Sequence, residues 1–126
     1  LNVSLNNSNI PFTNSKLLPI GQALQCQVQL GERMLKFDSI VLAQSESKLL
    51  IKAPQLGESP VEIKDAAEIS CQIERHKDGI YEFRLPFLGQ KQGKQNVLVM
   101  HHSSDIKLIS KANIDKDTLE EEWYME

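Results

Sequence analysis

The sequence predicts an all-β domain, an antiparallel barrel or sandwich, preceded by a loose polar leader and followed by a short acidic helix. Three observations carry that prediction. Apolar and polar residues alternate in short runs, turn-forming residues recur about every 8–12 positions, and almost no helical period appears between residues 17 and 110. At 126 residues, 40% hydrophobic and 25% charged, the chain has the size and composition of one domain. A domain of this length buries about two-thirds of the surface its unfolded form exposes, so it needs no metal or disulfide staple.

Residues 1–16 form the leader. The first 15 carry no charge, include Asn2, Asn6, Asn7, Asn9 and Asn14, and are broken by Pro11. Order is expected from Leu18-Pro19-Ile20-Gly21 onward. Leu24, Cys26, Val28 and Leu30 then alternate with Gln25, Gln27 and Gln29, the mark of a strand with one wet face. Gly31-Glu32 supplies a turn into Leu35, Phe37, Ile40 and Leu42, where the apolar parity slips by one at Asp38-Ser39 and predicts a bulge or bend. Leu49, Ile51 and Ala53 give a third strand, stopped by Pro54, Gly57 and Pro60, with a short extended piece at Val61-Glu62-Ile63. The best-marked hairpin joins Ile69, Cys71 and Ile73 to Tyr81, Phe83, Leu85 and Phe87 through His76-Lys77-Asp78-Gly79. Pro86 cannot donate to a ladder, which places the far end of that strand at an edge or bulge. A polar loop is expected from Gly89 to Gly93, a compact strand at Val97–Met100 and a last one at Ile106–Ile109. In the acidic tail, residues 111–126, Asp117 followed by Glu120 resembles a capping box, and the helix it starts needs packing by Leu119 and Trp123 to persist.

The net charge of -3 is unevenly spread. Six acids between Asp115 and Glu126 against Lys116 leave -5 there, and therefore +2 on residues 1–114. With only Arg33, Arg75 and Arg84 as arginines, no basic stripe for a phosphate backbone can be drawn, and nucleic acid is disfavoured as a partner. No apolar run approaches the roughly 18 residues of a membrane span and no basic segment opens the chain, so a cytoplasmic protein is expected. The chain starts at Leu1 instead of an initiator methionine, so its ends read as boundaries set by processing or by excision from a longer chain.

Cys26 and Cys71 both fall in the apolar phase of their strands and read as core thiols; a disulfide between them requires the two strands to lie side by side. His101-His102 would point to opposite sides of a strand and cannot chelate one metal. The run His101, His102, Ser103, Ser104, Asp105 holds the letters of a hydrolytic triad, but sequence neighbours do not align as nucleophile, base and orienter. No glycine-rich loop opens a helix, and Tyr81, Phe83 and Phe87 share the phase of Leu85, which makes them core before it makes them a stacking platform. No catalytic, cofactor or metal site emerges.

The order of Leu18-Pro19-Ile20-Gly21 with its alternating strand, Gly79-Ile80-Tyr81-Glu82-Phe83-Arg84, and Val97-Leu98-Val99-Met100 resembles the N-terminal domain of YcgR-type flagellar brake proteins, across about residues 17–109. The resemblance implies a small antiparallel split β-barrel of six or seven strands over residues 17–110, packing against a following PilZ domain that senses cyclic di-GMP and acts on motility. The arginine linker and the Asp/Asn-x-Ser-x-x-Gly strand that hold the nucleotide in that second domain have no counterpart here. Cyclic di-GMP is therefore not expected to bind this chain directly. Lys64-Asp65-Ala66-Ala67 and His101-His102 stand where the family has a glycine turn and an aromatic-proline pair.

The expected function is a non-catalytic regulatory module that works by contact with a protein partner or an adjacent PilZ-type domain, with room for self-association through a strand edge. The hairpin charges Arg75, Lys77, Glu82 and Arg84 are the candidate contact residues. Two readings from other classes stand beside it: a flavin-binding split-barrel oxidoreductase and an oligonucleotide-binding barrel.

Overall fold

A computed structural model of the chain describes residues 11–63, 66–76 and 78–111. Among the described residues, nine strands follow a 3-10 turn at Ser15–Leu17: β1 (Ala23–Leu30), β2 (Arg33–Gln44), β3 (Lys48–Lys52), β4 (Gln55–Leu56), β5 (Ser59–Pro60), β6 (Glu68–Arg75), β7 (Gly79–Lys91), β8 (Val97–His101) and β9 (Ile106–Lys111). Every pairing is antiparallel. Six strands close in the order β1-β2-β3-β8-β7-β6 and back to β1, and β9 is added along β7, so the all-β barrel is as expected. The acidic helix expected beyond residue 111 lies outside the described residues. No helix among the described residues is long and apolar enough to cross a membrane.

The alternation seen in the sequence builds this wall directly. Leu24, Cys26 and Val28 of β1 and Ile69, Cys71 and Ile73 of β6 point into the barrel, while the glutamines between them point out. Gly31 opens the β1–β2 turn with φ 62° and Gly57 turns the small β4–β5 hairpin with φ 66°, backbone that a side chain resists. The predicted hairpin is in place, with Arg75 opposite Gly79 and Asp78 N–H donating to the Arg75 carbonyl at 3.0 Å.

β7 organises the closure. One of its edges pairs with β6 along residues 79–86, and the other carries β9 along 79–83 and then β8 along 87–91. Pro86 stands opposite Glu68 at the end of the β6 ladder, the next amide, Phe87 N–H, turns to the Ala67 carbonyl at 3.0 Å, and a bulge follows between Phe87 and Gly89. The polar loop expected from Gly89 is shorter than its composition suggests, because β7 runs to Lys91 in register with Val97. The Gln90 side chain also binds the Val61–Ile63 segment, accepting from Ile63 N–H at 2.9 Å and donating to the Val61 carbonyl at 3.0 Å.

Two local expectations are corrected. The parity of β2 does not slip at Asp38-Ser39: Ser39 keeps the inward phase of Phe37 and Val41, is 3% exposed, and donates its hydroxyl to the Lys52 carbonyl at 2.6 Å. Ile40 is exposed instead, and the bulge falls between Val41 and Ala43. The leader expected over 1–16 is described from Pro11, and its last residues are packed. Phe12 is 4% exposed, with edge-to-face contacts to Tyr81 and Phe83 at centroid distances of 5.3 and 5.5 Å. Ser15 and Leu18 are buried behind it, and Gln44 donates to the Leu18 carbonyl.

Candidate interaction face

The outer surfaces of β2, β1, β6 and β7 form one shallow, open concavity of about 470 Å³. Strand register dictates its lining. One cross-strand row reads Asp38, Gln25, Gln72, Glu82, and continues to Lys107 on β9; the neighbouring row reads Lys36, Gln27, Ser70, Arg84. Opposed positions on an antiparallel pair lie about 4.5–5.5 Å apart, so each row is a continuous band of polar groups. The centre is uncharged amide and hydroxyl, one row has carboxylates on both sides of it and the other has cations. Such a face offers donors and acceptors over a broad area.

The four hairpin charges separate on this scaffold. Glu82 and Arg84 lie in the concavity. Gln72 Nε2 donates to Glu82 Oε2 at 3.3 Å, and Arg84 Nη1 donates to Glu68 Oε1 at 3.4 Å. With side chains 66% and 48% exposed, that ion pair contributes at most about 1 kcal/mol and leaves Arg84 accessible. Arg75 belongs to the opposite phase of β6. Its guanidinium carbon lies 5.9 Å from the Phe12 ring centroid and its Nε pairs with Asp78 Oδ2 at 3.3 Å, which places it against the packed N-terminal segment and away from the concavity. Lys77 is outside the described residues. No local motif singles out Gln25, Gln27, Lys36, Asp38, Ser70 and Gln72; the glutamine alternation of β1 is the one sequence signal of this wet face.

Tyr81 donates its hydroxyl to Asp78 Oδ2 at 3.2 Å. Burial first, then the charge and hydrogen bond of Asp78, push its phenol above the ordinary value, with Arg75 pulling the other way. Phe83 faces the interior at 1% exposure, so it belongs to the core and not to an external stacking platform.

The histidine-serine segment has a structural partner that no local pattern reveals. Ser15 Oγ lies 2.8 Å from His102 Nδ1 and accepts from Ser103 N–H at 2.8 Å, while Ser15 N–H donates to the Ser103 carbonyl at 2.9 Å. His102 Nε2 lies 2.8 Å from the Ser45 carbonyl, which can only accept, so Nε2 carries a proton and donates there. Ser15 has no exposed surface. The trio latches the N-terminal segment across residues 102–105, the connection between β8 and β9. His101 points elsewhere, with Nδ1 3.5 Å from the Ser47 carbonyl. No cluster of three or more metal-ligating side chains occurs among the described residues.

Cys26 and Cys71 are directly opposed across the β1–β6 ladder, both buried, with their sulfurs 3.9 Å apart. The contact with Cys26, then burial, pushes the Cys71 thiol well above its ordinary value of 9.0.

No protein-family model matches this sequence, and no curated protein matches it either. Among solved structures, the fold is similar to that of the inhibitor of motility MotI/DgrA of Bacillus subtilis, with a TM-score of 0.60 and 17% identity. The match covers 76% of this chain and 48% of that one, so the chain spans about half the length of the protein it resembles. At this identity the likeness is one of fold.

Proposed function

We propose that this chain is a non-catalytic regulatory module of the kind found at the N-terminus of flagellar brake proteins, acting on motility or related surface behaviour through contact with a protein or an adjoining PilZ-type domain. The observation that carries the reading is the barrel itself. Its likeness to the inhibitor of motility is one of fold, and the sequence pattern of residues 17–109, which resembles flagellar brake domains, supports the same reading. The outer face of β1, β2, β6 and β7 is the contact surface in this proposal, with Arg84 and Lys36 as its accessible cations and Gln25, Gln27 and Gln72 as its amide centre.

The chain's role is tested by deleting its coding sequence in the native host and measuring spreading through soft agar. Deletion should change the spreading rate, the intact sequence should restore it, and the Lys36→Glu/Arg84→Glu double variant should not. Both positions are exposed; reversing Arg84 also removes its ion pair with Glu68 and sets like charges side by side, so a loss of about 1 kcal/mol is expected, and a urea melt of the double variant checks that it stays folded. Unchanged spreading, swarming and surface attachment after deletion would overturn the proposal. Calorimetry of the chain with cyclic di-GMP should show no heat of binding, and a micromolar titration would place the sensor on this chain after all.

A further inference from the structure

We infer that Cys26 and Cys71 are a built site for thiol–disulfide exchange, forming a cross-strand disulfide that staples β1 to β6 when a low-molecular-weight disulfide such as oxidised glutathione is the oxidant. Register is the first reason. Cys26 faces Cys71, flanked by the pairs Gln25 with Gln72 and Gln27 with Ser70, so the two residues are held in opposition by the ladder on both sides. Directly opposed residues of an antiparallel pair have Cα atoms about 4.5–5.5 Å apart, inside the range that disulfides span.

Reach is the second reason. The sulfurs are 3.9 Å apart, and a bond of about 2.05 Å is reached by turning two short side chains toward each other with the backbone in place. These are the only two cysteines of the chain, so no competing intramolecular partner exists. An ordinary pair of core thiols needs neither matched register nor sulfur contact.

The exchange balances without any bound cofactor. A Cys26 or Cys71 thiolate attacks oxidised glutathione, one glutathione thiolate leaves, and the mixed disulfide is then attacked by the second cysteine, which expels the other glutathione. Two thiol protons and two electrons leave the protein, and two molecules of reduced glutathione form. Burial slows the first attack, so exchange proceeds through opening of a ladder only three registered pairs long.

The test removes the access barrier. Reduced protein is unfolded, refolded in about 1 mM reduced and 1 mM oxidised glutathione, quenched with acid, denatured and alkylated with a maleimide before intact-mass measurement and peptide mapping. The expected product is a monomer about 2 Da lighter than the dithiol, carrying no maleimide, with Cys26 and Cys71 peptides joined, in about tenfold excess over doubly alkylated chain. Neither single variant, Cys26→Ser or Cys71→Ser, should yield this species. A majority of doubly alkylated chain, of glutathione adducts or of disulfide-linked dimers would overturn the inference. The wild-type result decides the matter even where a serine variant fails to fold.

Discussion

Replacing Phe12 by alanine tests whether the N-terminal segment is part of the barrel or merely precedes it. The ring is 4% exposed, touches Tyr81 and Phe83 edge to face, and lies under the Arg75 guanidinium. Removing a buried phenylalanine costs about 3–5 kcal/mol in a closed core. Each aromatic contact accounts for about 0.5–1.5 kcal/mol of that. Phe12 plugs an end of the barrel, where the segment can settle into part of the vacated space, so a loss near the lower bound, about 3 kcal/mol, is expected. For a domain of this size that lowers the melting temperature by more than about 10 °C. Urea melts of wild type, Phe12→Ala and the exposed control Thr13→Ala supply the comparison, with equal slopes required before midpoints are converted to free energies. A Phe12→Ala loss below about 0.5 kcal/mol, no larger than that of Thr13→Ala, would refute the plug and return residues 11–16 to the status of a loose leader.

Ser15→Ala should cost about 1–3 kcal/mol, because it leaves the Ser103 amide without its acceptor and His102 Nδ1 without its hydroxyl partner, and amide exchange at Ser103 should accelerate; unchanged protection there would count against the latch. Alkaline pH should destabilise the fold. Cys71 and Tyr81 both hold their protons more tightly when folded than when unfolded, so their contribution is complete below the ordinary values of 9.0 and 10.0 and is lost as pH rises past them. Urea midpoints should be flat with respect to these groups near pH 7.5 and fall toward about pH 10.5, with Tyr81→Phe flattening the upper part of the decline; an equal midpoint at both pH values would contradict the assignment.

The β6–β7 hairpin was legible because every signal agreed. Ile69, Cys71 and Ile73 and then Tyr81, Phe83 and Leu85 keep period two, and Asp78-Gly79 supplies the turn between them. β2 was misread at one point because apolar identity served as a proxy for burial. Ser39 breaks the proxy: a hydroxyl that reaches the Lys52 carbonyl is satisfied inside the barrel, so a polar letter stands where the pattern demands an apolar one. Phe12 failed for a different reason. Between Pro11 and Thr13 it has no periodic neighbours, and the groups that bury it, Arg75, Tyr81 and Phe83, arrive from more than sixty residues away.

The candidate face shows why its charges could be named singly but not assembled. Glu82 and Arg84 were visible as the outward residues of a hairpin strand, yet what they stand beside depends on register across four strands, which fixes Gln25 against both Asp38 and Gln72, and Ser70 against both Gln27 and Arg84. A slip of one residue in the β1–β6 ladder would turn the outward side chains on one side of that ladder inward and would at the same time separate Cys26 from Cys71. The outward amide band and the inward thiol pair are therefore two readings of a single register. A disulfide joining Cys26 to Cys71 would therefore fix the alignment of the outer rows independently of any partner.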